Sequence, residues 1–423
     1  MTPSVSARRT AACLLLCLAL VGCGSDVTSQ PPTAAPTSTP TASGAAPSPA
    51  GSTRPAAEVY AEIRAAVVAI RGIAPTAAVD PVTIDEAQLR ANLEGEFDAT
   101  YTPAQLKDAD DLLSALGLIP GGSSLRQLTL DLQAGQVAGY YSPERDELFV
   151  VNRTGTLGPV DEVTYAHEFT HQLQDQHIGL DALGIDAVDQ SDRSLGRLAL
   201  VEGDATSVQS TWMTANLTPT EMGELLAAAL DPAAMEALNN APAYLRETAT
   251  FPYQDGLAFV GRLLANGGYP AVDAAFADPP DSTEQVLHSE KYLTREAPLE
   301  VTLPSAVPDV LGAGWAMVGQ DTLGELILRI WLTDGGVLST PARTATAGWG
   351  GDRLALYRGP GGKTAVLLRT EWDTALDAQE FMFQAQTAAA KLMPGAIVSW
   401  ELNSTTVEIR SKELVVQAGT LGP

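Results

Sequence analysis

The chain of 423 residues is 45% hydrophobic and 18% charged, enough for two or three domains with sizeable cores. Its 51 acidic against 25 basic residues leave a net charge of −26, which repels phosphate backbones and argues against nucleic-acid binding. Its three cysteines, Cys13, Cys17 and Cys23, all lie at the N-terminus, so neither a disulfide framework nor a thiolate metal site serves the rest of the chain. Any metal there must use histidine or carboxylate ligands, and the only histidines are His167, His171, His177 and His288.

Arg8 and Arg9 precede the apolar run Ala11–Val21. That run is shorter than the ~20 residues of a spanning helix and suits the apolar centre of an export leader. It ends in Leu20-Val21-Gly22-Cys23, which resembles the bacterial lipobox. The resemblance implies a leader over residues 1–22, lipidation of Cys23, and a chain exported and lipid-anchored to the outer face of a bacterial membrane. Residues 23–56 are rich in Pro, Ser, Thr and Ala, with too few large apolar side chains to offset ordering entropy. They are expected to form a disordered tether.

Order is expected from about Ala57. Val59, Tyr60, Ile63, Val67 and Ile70 form a helical stripe, and Pro103 to Leu118 a second one opened by proline. The alternation Leu128-Thr129-Leu130-Asp131-Leu132 marks a change to strand-like patterning. Val137–Tyr141 and Leu148–Val151, separated by a polar turn, read as a hairpin. Helices are predicted over Pro159–His177, Asp192–Asn216, Glu221–Leu230, Ala233–Asn239 and Asp255–Asn266. Beyond Leu299 the pattern is mixed: helices at Thr322–Leu332 and Asp373–Leu392, strands at Asp352–Tyr357, Ala365–Glu371, Ile397–Leu402 and Thr406–Arg410. Gly348-Trp349-Gly350-Gly351 reads as a tight turn. The fold class is α+β, with a main domain over 57–299 and a smaller α+β unit over 300–423.

The chemical signal is His167-Glu168-Phe169-Thr170-His171. Four residues apart on a helix, both imidazoles face one side and can share a tetrahedral cation, with Glu168 placed to take a proton from water. A third ligand is required. His177 has the spacing of one known pattern, but Gln174 stands where that pattern has the glycine that turns the chain, and on a continued helix His177 points away. Glu202 is the rival. It is the sole charged residue on the stripe 195, 198, 202, 205, 209, 212, and a buried carboxylate needs a cation or a partner. Asp204 and Asp175 are candidates to accept the ligands' remaining ring N–H groups, or else act as a cap or a surface acid.

HExxH followed some 30 residues later by a helical Glu resembles the gluzincin branch of the zincin metallopeptidases. More closely, AHEFTHQLQDQHIGL with ALVEGDAT resembles a group of bacterial secreted or lipid-anchored metallopeptidases, as do GYYSPERDELFVV, PPDSTEQVLHSEKYL, GWGGDRLALY and EWDTALDAQEF. The resemblance implies a zincin-like fold, one Zn²⁺ per chain on His167, His171 and Glu202, and Glu168 as the base that activates water against a peptide bond. Thermolysin-like members carry an Asp four residues after the ligand Glu; here that position is Thr206. The zincin reading also makes the hairpin a platform for an extended peptide substrate, and His288 or Tyr292 a donor to the oxyanion. Two alternatives stay open: a non-catalytic surface lipoprotein on the same scaffold, binding a partner or metal, and a metal hydrolase of cell-wall amides.

Overall fold

A computed structural model describes residues 15–18, 54–153, 155–187 and 189–417. Cys23, and all of the leader and tether except Leu15–Leu18 and residues 54–56, lie outside the described residues. Helix α1 (Ala56–Arg71) buries Val59, Tyr60, Ile63 and Val67 along one face and ends at Gly72, whose φ of 81° is the left-handed turn a side chain would resist. Strand β2 (Val82–Ile84) leads into α2 (Glu86–Thr100), capped by Asp85, and α3 (Pro103–Leu116) opens with a Thr102–Gln105 capping box.

Residues 128–132 are not a strand. They lie inside α4 (Leu125–Gln136), started by the Ser124 cap. Leu125, Leu128 and Leu132 also fall three and four apart, and that spacing prevails over the alternation. The hairpin forms as predicted: β3 (Val137–Ser142) pairs antiparallel with β4 (Glu147–Val151). The first sheet has the order β1–β3–β4–β2, with β2 parallel to β4 and β1 (Leu15–Leu18) antiparallel on the outer edge of β3.

The helical middle comprises α5 (Pro159–Ile178), α6 (Ser191–Asn216), α7 (Pro219–Ala229), α8 (Pro232–Asn240), α9 (Ala243–Gly267), α10 (Tyr269–Ala277), α11 (Thr283–Leu287) and α12 (Ser289–Leu293). Helix α9 begins twelve residues earlier than its periodicity suggests and runs through Pro252. Proline removes one helical hydrogen bond. Tertiary packing carries the helix past it: a Cβ at Gly203 would sit 2.2 Å from the Gly256 carbonyl oxygen, and one at Gly256 would sit 2.2 Å from that of Ala199. Helices α6 and α9 therefore touch backbone to backbone.

The C-terminal unit contains α13 (Val307–Leu311), β5 (Ala316–Asp321), α14 (Gly324–Asp334), α15 (Ser339–Thr346), β6 (Trp349–Arg358), β7 (Thr364–Trp372), α16 (Ala375–Leu392), β8 (Ile397–Trp400), β9 (Thr406–Arg410) and α17 (Lys412–Gln417). Its antiparallel sheet has the order β5–β6–β7–β9–β8. Trp349, Gly350 and Gly351 begin β6 and do not form a turn. The chain near Leu299 crosses there, with the Leu299 N–H donating to the Gly350 carbonyl at 2.7 Å, and a Cβ at Gly351 would lie 2.4 Å from the Leu299 carbonyl oxygen. One apolar cluster joins Leu200, Phe259 and Val260 of the helical middle to Trp331, Trp349 and Phe381, so the two units share a core.

Candidate metal centre

Helix α5 carries the first two candidate ligands. Pro159 fits its first turn, and the Asp161 carboxylate takes the Gly158 N–H at 2.8 Å. Every side chain from Val163 to Gln174 is buried, a stretch enclosed on all sides and not merely amphipathic. Strand β3 covers one side: a Cβ at Gly139 would lie 2.5 Å from Thr164 Cγ2 and 3.5 Å from Glu168 Cγ. Only glycine lets that strand approach the turn bearing Glu168.

From α6, Glu202 meets both imidazoles. Its Oε2 lies 3.1 Å from His167 Nε2 and 3.4 Å from His171 Nε2, and the two Nε2 atoms are 2.9 Å apart. One ligand atom from each residue falls within 4.8 Å of the others, and all three residues are buried. The remaining ring nitrogens are engaged: His167 Nδ1 with Gln209 Oε1 at 3.0 Å, and His171 Nδ1 with Gln174 Oε1 at 2.8 Å. The Gln174 amide is oriented by its own donor group, which reaches the Val201 carbonyl at 3.0 Å and Asp204 Oδ2 at 3.1 Å. Its oxygen must therefore face His171, which places the proton on Nδ1 and the lone pair on Nε2.

Two imidazole lone pairs and a carboxylate oxygen thus converge on one small space, and three acceptors without a positive charge between them repel. Tetrahedral coordination with bonds of about 2.0–2.1 Å keeps donors roughly 3.3 Å apart. The donor chemistry and spacing fit a zinc-like cation. Burial opposes charge at all three residues. Even so, Glu202 stays below the ordinary carboxylate value because His171 and His167 face it. Without a metal ion, the same carboxylate lifts His171 to about 9 against the cost of burial, so that a proton on Nε2 takes the place a cation would hold, whereas burial prevails at His167 and lowers it.

Behind Gln174 the chain of contacts continues. Arg71, the last residue of α1 and completely buried, donates from Nε to Asp204 Oδ2 at 2.9 Å and from a terminal nitrogen to Asp273 Oδ1 at 2.6 Å. Its guanidinium lies 4.8 Å above the Tyr269 ring. Asp204 therefore acts on His171 through Gln174 and does not accept a ring N–H itself. Asp175 holds neither ligand: it accepts from the Tyr141 hydroxyl at 3.0 Å and the Leu180 N–H at 2.9 Å, tying β3 to the end of α5. His177 points away along the unbroken helix, with Nε2 2.7 Å from the Ala74 carbonyl.

The structure also redirects the two expected oxyanion donors. His288 faces Glu325 on α14, Nε2 to Oε2 3.0 Å, and the Tyr292 hydroxyl donates to the Asp278 carbonyl at 2.9 Å. Neither is brought to the three candidate ligands. The aromatic neighbour is instead Tyr253 of α9, stacked on His167 with centroids 6.0 Å apart. Gln174, Gln209, Arg71 and Tyr253 were not singled out by sequence. Gln174, three residues after His171 on the same helical face, and Gln209, on the stripe that carries Glu202, did carry a signal.

Residues 313–418 match a domain of unknown function (DUF8575), a span that coincides with the five-stranded sheet and its helices. No curated protein and no solved structure matches the chain.

Proposed function

We propose that this protein is a zinc-dependent peptidase of zincin type, lipid-anchored outside the cytoplasm, with His167, His171 and Glu202 as ligands and Glu168 as general base. The observation that carries the reading is the convergence of three buried acceptors from α5 and α6, with both Nδ1 positions already occupied. Zinc at this place supplies Lewis acidity toward water and a substrate carbonyl. The Glu168 carboxylate, adjacent to His167 and fully buried, takes the proton of the attacking water and returns it to the departing amide nitrogen. Gln174 and Gln209 hold the two rings in the tautomer that presents Nε2. Strand β3 is laid against Glu168 by Gly139; its outer edge, paired with Leu15–Leu18 of the leader in the full chain, becomes free for an extended peptide once the leader is removed.

The test is Glu168→Gln in the purified chain. One zinc per chain is expected to remain while hydrolysis of unfolded casein falls ~100-fold or more. Undiminished hydrolysis in this variant removes the mechanism. A protein that binds zinc stoichiometrically and cleaves neither casein nor a panel of small amides is the non-catalytic alternative.

A further inference from the structure

A second region has the properties of a ligand site. Between α3, α4, the N-terminal halves of α6 and α9, and β5 lies a cavity of about 580 Å³, within the ~300–1,000 Å³ of small-molecule sites. Leu112, Leu132, Leu195, Leu198, Leu245 and Val318 are among its apolar walls. It is separate from the metal centre: none of His167, His171 and Glu202 lines it.

Its charged groups are few and of one sign. Among the described residues no Lys, Arg or His lines the cavity, whereas four aspartates do. Three are compensated. Asp108 pairs with Arg358 at 2.7 Å, Asp189 lies 3.8 Å from Arg353, and Asp321 accepts from the backbone N–H and hydroxyl of Ser191 and from the Thr322 N–H. Asp186 has no hydrogen bond or ion pair among the described residues; its charged neighbours are Asp181 and Glu144, both acidic. The Tyr244 hydroxyl, on the same wall, likewise lacks a hydrogen-bond partner among the described residues.

We infer that this cavity binds a small cationic amphiphile, its apolar body among the leucines and its protonated amine beside Asp186. Burial, followed by those two acidic neighbours, pushes the Asp186 carboxyl up to about 6, so the site is short of one positive charge near neutral pH. A carboxylate-headed amphiphile of the same body has no cationic side chain on the cavity wall to meet it and four acids to repel it. The inference is independent of the zinc reading, since no metal ligand takes part.

The test is calorimetric titration of the full chain with dodecylamine, dodecanol and dodecanoate below their micelle concentrations, with butylamine as the control for adsorption to an acidic surface. Dodecylamine is expected to bind once per chain and about tenfold more tightly than dodecanol, the size of one charge-assisted contact, with dodecanoate weakest. Asp186→Asn should bring dodecylamine to the level of dodecanol. Gln133→Arg, a half-buried position on the cavity wall, should reverse the order of dodecylamine and dodecanoate. Far-UV circular dichroism checks that both variants keep the fold. The inference is overturned if dodecanoate binds as well as dodecylamine, if Asp186→Asn leaves dodecylamine binding unchanged, if butylamine matches dodecylamine, or if none of the three amphiphiles binds.

Discussion

Among the described residues, two groups of three side chains bring ligand atoms within 4.8 Å of one another, and they differ in what lies between them. His167, His171 and Glu202 are buried, and among the described residues no lysine or arginine pairs with Glu202. Glu284, Glu296 and Asp373 are three carboxylates around the Lys291 ammonium, each within 2.7 Å of it. The second cluster supplies its own counter-ion and ties α11 and α12 to the C-terminal sheet. The first does not. Both bring their ligand atoms within the same 4.8 Å, so charge balance, not proximity alone, separates a candidate metal centre from an ion-pair staple.

The comparison can be broken most directly by Glu202→Ala. Zinc content by atomic absorption is expected to fall from one per chain to near zero, while Glu284→Ala keeps it at one. A Glu202→Ala protein that retains zinc, set beside a His177→Ala protein that loses it, reverses the ligand assignment. Next in size is Arg71→Met, which leaves all three ligands intact but releases Asp204 and Gln174. Zinc affinity measured by chelator competition should weaken ~10–100-fold, with Arg71→Lys recovering part. An unchanged affinity in Arg71→Met means that the buried contacts behind His171 do not set its orientation.

Lys291→Met tests the other cluster. Removing the ammonium leaves three carboxylates facing one another, two of them solvent-screened, and should cost about 1–3 kcal/mol in denaturant unfolding. Millimolar calcium should restore part of this, and a variant as stable as the parent denies the staple its role. The smallest effect concerns pH. At the junction of α6 with the C-terminal unit, burial raises Asp192 to about 8 and Asp321 and Asp352 to about 6. In the unfolded chain these titrate near 4. Between those values the folded protein holds more protons, so their contribution is full at low pH and is lost as pH rises through 6 and 8. Zinc-free protein should therefore unfold at a higher denaturant midpoint at pH 5 than at pH 8, and Asp192→Asn should flatten the upper part of that slope. A midpoint that rises with pH contradicts the assignment.

Much of the candidate centre was legible because its evidence is local. Two histidines one turn apart declare a shared face, and Glu202 is conspicuous as a lone charge on an apolar stripe. The surrounding support was not legible. Arg71 lies 133 residues before Asp204 and looks like an ordinary basic helix end, and Tyr253 follows a proline that suggested no helix at all. His288 and Tyr292 show the converse: a suitable residue type carries no position until the chain folds, and folding assigned them to Glu325 and Asp278. In the fold, the hairpin and the long helices followed their periodicity. Helix α4 was hidden because Leu128-Thr129-Leu130-Asp131-Leu132 satisfies two periods at once, and α9 because packing prevailed over its proline.

The bare contact of Gly203 with Gly256 has a consequence for how the centre can vary. Glu202 precedes Gly203, so the distance between two helix axes is gauged at the residue next to a candidate ligand, with no side chain available to absorb an error. A methyl group at either glycine would act as a wedge, prising one wall from the other and carrying the carboxylate with it. Positions 203 and 256 should thus be the least forgiving in a mutational scan, although neither bears a functional group.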